Sequence, residues 1–123
     1  MVPGRQAQIL EVLKEMKKEN PNFAALAVVT PDGLPMSSLL PDDVEEDRVA
    51  AISATLSSLA ERASNELKMG KLEQTYAKGE NGYILVMSIK GVATLLAVTD
   101  KNAKLGMVMF NMKEGIRKIE KIL

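Results

Sequence analysis

Ala50-Ala51-Ile52-Ser53-Ala54-Thr55-Leu56-Ser57-Ser58-Leu59-Ala60-Glu61-Arg62-Ala63 is the stretch whose reading decides the fold. It contains neither glycine nor proline, and its apolar residues recur at helical spacing. At about 100° per residue, Val49, Ile52, Leu56, Leu59, Ala60, Ala63 and Leu67 fall in one stripe, enough to cover a sheet. The opposite side holds Ala50, Ala54, Ser57, Ser58, Glu61 and Asn65, and no charge occurs between Ala50 and Ala60. Small side chains let a second helix backbone come close and lose little rotamer entropy on burial. The sequence therefore predicts a helix with its aliphatic stripe on a sheet and its small-residue side on another copy of the chain. An exposed helix rich in alanine, the best helix former, is the competing explanation.

Working outward, the long helix is expected over residues 41–68. Asp42, Asp43, Glu45, Glu46 and Asp47 crowd its start, where the dipole favours acids, and Met69-Gly70 ends it with a glycine for a left-handed cap. Before it, Ile9, Leu10, Val12, Leu13 and Met16 mark a helix over 5–19 that Asn20-Pro21-Asn22 stops. Residues 23–30 and 35–40 read as a strand pair joined by Pro31-Asp32-Gly33, in which proline presets one turn angle and glycine supplies a positive φ. After the long helix, residues 72–78 form a polar edge strand. Two dense apolar strands follow at 83–89 and 92–99, turning at Gly79-Glu80-Asn81-Gly82 and Lys90-Gly91. Leu105, Val108, Met112, Ile116, Ile119 and Leu123 mark a closing helix.

The central strands are apolar without alternation, so both faces of the sheet must be covered. The predicted fold class is α/β in the α+β sense. A five-stranded antiparallel sheet lies between one long helix and two terminal helices, in the order α-β-β-α-β-β-β-α, as a single domain over residues 1–123. The edge strand offers a second route to self-association through its unpaired backbone, which adds Thr75 and Tyr76 to the expected dimer interface of Ala50, Ala54, Ser57, Ser58, Glu61 and Asn65.

Composition removes many functions. The 123 residues carry 16 Lys plus Arg against 16 Asp plus Glu, a formal net charge of zero. That balance argues against a dominant surface for nucleic acid or anionic membrane, although a local patch stays open. There is no cysteine and no histidine, which removes thiolate zinc sites, cysteine nucleophiles and the commonest general base. Ser53 and Ser88 have no histidine to activate them. No phosphate loop and no Gly-x-Gly-x-x-Gly is present, so neither nucleotide nor other cofactor is expected. The acids at 42–47 are explained by helix capping without a metal. No apolar run spans a bilayer and no signal peptide opens the chain, which makes a cytoplasmic protein without membrane insertion the expectation.

The pattern resembles the Roadblock/LC7 family, which includes roadblock-type dynein light chains and MglB-like proteins, over nearly the whole chain. Ala24-Ala25-Leu26-Ala27-Val28-Val29-Thr30-Pro31-Asp32-Gly33-Leu34-Pro35 looks like the family's hairpin, and the helix quoted above is similar to its small-residue helix. Ala97-Val98-Thr99-Asp100-Lys101-Asn102-Ala103-Lys104-Leu105-Gly106 resembles its last strand leading into a helix. The resemblance implies a roadblock/profilin-like fold and a homodimer. It also implies a non-enzymatic role as regulator or scaffold of a Ras-like small GTPase. The alternatives are a structural subunit of a larger motor or signalling complex, and a small-ligand sensor of the PAS or GAF type. Arg48, Arg62 and Glu66, on one flank of the long helix, are the candidates for docking a partner, with docking favoured over an inserted catalytic arginine.

Overall fold

A computed structural model describes residues 4–123. The first helix, α1 (Arg5–Glu19), buries Ile9, Val12, Leu13 and Met16 and ends at Asn20, whose N–H donates to the Met16 carbonyl. Strands β1 (Phe23–Val29) and β2 (Pro35–Leu39) form the expected hairpin, closed by bonds between Thr30 and Leu34. The long helix α2 (Glu46–Glu66) leads to β3 (Thr75–Gly79), β4 (Gly82–Ile89) and β5 (Ala93–Thr99), and α3 (Leu105–Ile122) closes the order. The sheet is antiparallel throughout, in the order β2-β1-β5-β4-β3.

Strands β1 and β5 lie inside the sheet and are buried on both faces, as their unbroken apolar runs require. On one face α1 and α3 cover Leu26, Val28, Leu85, Met87, Ile89, Leu95 and Ala97, with Val108, Met112 and Ile119 of α3 in the same cluster. The two helices meet closely because Gly115 faces Met16, and a Cβ there would overlap the Met16 side chain. Asn20 donates to Asn111 at 2.9 Å between them, satisfying two buried amides. Lys118 of α3 donates to Glu15 of α1 at 3.1 Å, and that carboxylate holds its ammonium above the ordinary lysine range. On the other face lies α2 alone.

Three boundaries differ from the sequence reading. The long helix begins at Glu46 rather than near Pro41. Asp42 and Asp43 sit in a turn, and the cap residue Glu45 makes no side-chain capping bond. Only Glu46 and Asp47 lie in the first turn, where the dipole acts on them. The edge strand begins at Thr75 rather than Leu72, because residues 72–74 run beside β4 without joining its ladder. The left-handed residue that closes α2 is Lys68, with φ of 58°, two residues before Gly70, whose φ of 85° is also positive. Met69 N–H donates to the Ser64 carbonyl and Lys68 N–H to that of Asn65, a Schellman closure with lysine where glycine is usual.

A non-glycine residue held left-handed costs about 1–2 kcal/mol. Lys68→Gly is therefore expected to raise the stability to urea by about 0.5–1 kcal/mol. Unchanged or lowered stability contradicts this account of the helix end.

Candidate functional site

Helix α2 is amphipathic twice over, with a small face and an aliphatic face, and what lies beneath it decides which is buried. The β1–β2 turn brings main chain directly under the helix. Gly33, at φ of 89°, lies so close that a Cβ on it would stand 3.3 Å from the Ala54 Cβ and 3.6 Å from the Ala50 carbonyl oxygen. A leucine cannot enter a gap of that width. Ala50 fits, and it is wholly buried against Ala27 and Val29. Ser53 and Ser64 are also buried, and Ala54, Ser57 and Ala60 are half-buried.

The helix is thus turned by about a quarter of a revolution from the sequence expectation. Ala50 faces the sheet of its own subunit and is withdrawn from the expected outer interface; Ala54 and Ser57 lie on the same inner side. Ile52 is 46% exposed and Leu59 60% exposed, with Ala63 and Leu67 also open and Val49 and Leu56 half-buried. The stripe expected to cover the sheet lies along a largely open flank instead. Hydrophobic periodicity identified both faces, but the side-chain volumes beneath the helix, which come from another part of the chain, select between them.

Where α2 leaves the sheet, its small face roofs a cleft of about 130 Å³. Ser57, Ser58 and Glu61 form one wall, Glu73, Gln74 and Thr75 another, and Val86 and Thr94 the floor. Asn65 and Glu61 line a wider opening of about 760 Å³ beyond it, next to Lys71 and Lys90. So Ala54, Ser57, Ser58, Glu61 and Thr75 do come together, around a cleft within one chain. Tyr76 points to the other face of the sheet, half exposed, with its ring edge-on to Tyr83 at 6.2 Å. The three docking candidates flank the outer aliphatic stripe. Arg48 is exposed, and Arg62 donates to Glu66 at 3.0 Å in an exposed pair one helical turn apart.

A model of the Roadblock/LC7 domain matches residues 9–100. An uncharacterized protein of Methanocaldococcus jannaschii is 36% identical over 109 residues, which cover 89% of this chain and 94% of that one. Two solved structures share the fold. MglB of Myxococcus xanthus aligns with a TM-score of 0.87 at 16% identity, over 99% of this chain and 92% of its own. The gliding protein MglB of Thermus thermophilus aligns with a TM-score of 0.87 at 19% identity, over 99% and 93%.

Two substitutions test the orientation of α2. The Ser53 hydroxyl is buried without a hydrogen-bond partner among the described residues. Ser53→Ala is expected to be neutral or stabilising by up to about 1 kcal/mol, since it removes an unsatisfied group. Ala50→Asp places a charge in the buried seam and is expected to cost about 3–5 kcal/mol in thermal or urea unfolding. A mild effect from Ala50→Asp would mean that this face is open to water.

Proposed function

This chain belongs to the Roadblock/LC7 domain family, and from that membership we propose that it works as a homodimer. The dimer docks a Ras-like small GTPase as a regulator or adaptor and catalyses no reaction itself. The observation that carries this reading is the outward aliphatic stripe of α2. Ile52, Leu56, Leu59 and Ala63 form a band along one open flank of the helix, continued by exposed Leu67 and Met69 past the helix end. Burying one leucine or isoleucine contributes about 1.5–3 kcal/mol. A second copy offers the matching band, because a two-fold axis makes a single stripe self-complementary.

The proposed interface therefore consists of Ile52, Leu56, Leu59 and Ala63 in antiparallel pairing, in place of the small-residue face. Thr75 and Tyr76 keep their proposed part in it. They lie on β3, whose outer edge no strand among the described residues covers, and two such edges can join the sheets of two copies into one. Arg48 and the Arg62–Glu66 pair sit at the rim of the stripe, where charged side chains steer a partner more than they bind it. A GTPase docks on the α2 side of the dimer in this reading, and these three residues meet it.

Molar mass by light scattering at micromolar concentration is expected to be that of a dimer, about twice 13.4 kDa. Leu59→Asp is expected to reduce it to the monomer, with a loss of about 3–5 kcal/mol of association. Retention of the dimer in Leu59→Asp contradicts the interface. For the functional half, a Ras-like GTPase from the same genome is expected to co-elute with the dimer. The dimer alone is expected to release no phosphate from GTP. Turnover without an added GTPase, or no complex with any GTPase of that genome, contradicts the regulatory reading.

A further inference from the structure

The formal charge of zero conceals a segregated molecule. Residues 31–71, which contain α2 and the acidic turn before it, hold eight acids and four bases, a net of −4. Residues 1–19 together with 100–123 hold ten bases and six acids, a net of +4. These last form α1, α3 and the turn between β5 and α3, the layer on the opposite side of the sheet from α2. The sheet thus separates an acidic face from a basic one.

Two large apolar side chains stand open on the basic face. Phe110 is 58% exposed and Met107 56% exposed, although α3 has buried its other large apolar residues wholly or in part. At about 100° per residue, Lys113, Phe110, Lys121 and Met107 share one arc of about 120°. Arg117 lies in the same arc, held by Glu114. Lys101 and Lys104 stand exposed just before the helix, and Lys17 and Lys18 at the end of α1 beside it. None of these six lysines forms an ion pair among the described residues.

We propose that this α1/α3 face is a peripheral docking surface for an anionic lipid bilayer, with Phe110 and Met107 entering the headgroup region and the lysines set against lipid phosphates. No helix among the described residues is long and apolar enough to cross a membrane, so the contact is one of lying on the surface. Charge complementarity selects an anionic partner. The apolar pair selects lipid over nucleic acid, since a duplex backbone gives exposed Met and Phe nothing to bury against. The breadth of the basic layer selects a flat surface over a peptide; the narrow cleft opens beside α2, and the wider opening touches this layer only at its margin, through Lys113 and Glu120. The inference gains from the dimer reading and rests on it in one respect. A two-fold axis through α2 and β3 sets both basic layers on the same side, so two patches meet one membrane with the acidic α2 side turned away.

The test is co-sedimentation of the full chain with vesicles of phosphatidylcholine alone or mixed with phosphatidylglycerol, with molar mass measured in parallel. Binding is expected to the mixed vesicles only. It should fall steeply as salt rises from about 0.1 M to about 1 M, where the Debye length shrinks from about 10 Å to about 3 Å. Lys113→Glu with Lys121→Glu is expected to abolish it, and Phe110→Ser to weaken it about tenfold. All three positions are exposed, so unchanged melting temperatures confirm that folding is not what was lost. The monomeric Leu59→Asp protein should still bind mixed vesicles, more weakly, which keeps failure of the dimer apart from failure of this surface. No binding at low salt overturns the proposal. So does binding that Phe110→Ser and the charge reversals leave unchanged, and so does tighter binding to duplex DNA or to an acidic polypeptide than to the vesicles.

Discussion

The narrow seam between α2 and the sheet governs the rest of this molecule. The hairpin turn Pro31-Asp32-Gly33 lifts main chain under the helix, and the Ala54 Cβ stands 3.3 Å from the place where a Gly33 side chain would begin. Close packing of that kind admits only small residues, so Ala50, Ser53, Ala54 and Ser57 take the inner side. Ile52 and Leu59 are then left on an open flank of the helix, while Val49 and Leu56 stay half-buried. The exposed aliphatic band follows from the fit of the buried one. A chain that seats a helix so closely on its own sheet leaves that helix's stickiest face for another surface to cover.

Most of the fold was legible in the sequence. Unbroken apolar strands at 23–30, 83–89 and 92–99 demand cover on both faces, and the three helices supply it, one on one side and two on the other. Turn chemistry placed the hairpins correctly because glycine and proline act locally. The failures were of a different kind. Residues 72–74 carry a strand-like pattern yet do not pair, since pairing depends on how the chain leaves α2. Gly70 does take a positive φ, yet Lys68 closes the helix in the left-handed position two residues earlier.

The candidate site was less legible. A helical stripe of Ile52, Leu56 and Leu59 shows that one face avoids water; it does not say whether the cover comes from the same chain or another. The usual assumption assigns the more apolar face to the chain's own core. Here the volume under the helix reverses that choice, and the deciding residue, Gly33, lies 19 positions before Ile52. Thr75 and Tyr76 were read together as edge residues, and alternation along β3 sends them to opposite faces, one into the cleft and one toward Tyr83. The docking candidates Arg48, Arg62 and Glu66 are surface groups whose role no local pattern fixes. Net charge was the least informative quantity, because zero summed two opposed layers.

The central claim is that the aliphatic face of α2, not its small-residue face, meets a second copy. The chain has no cysteine, so a single introduced thiol reports one position without background. Leu59→Cys and Glu61→Cys place that thiol on opposite sides of the same helical turn. With a short thiol-to-thiol crosslinker, the account predicts rapid covalent dimers from Leu59→Cys and monomers from Glu61→Cys. Crosslinking at position 61 with none at 59 would contradict it.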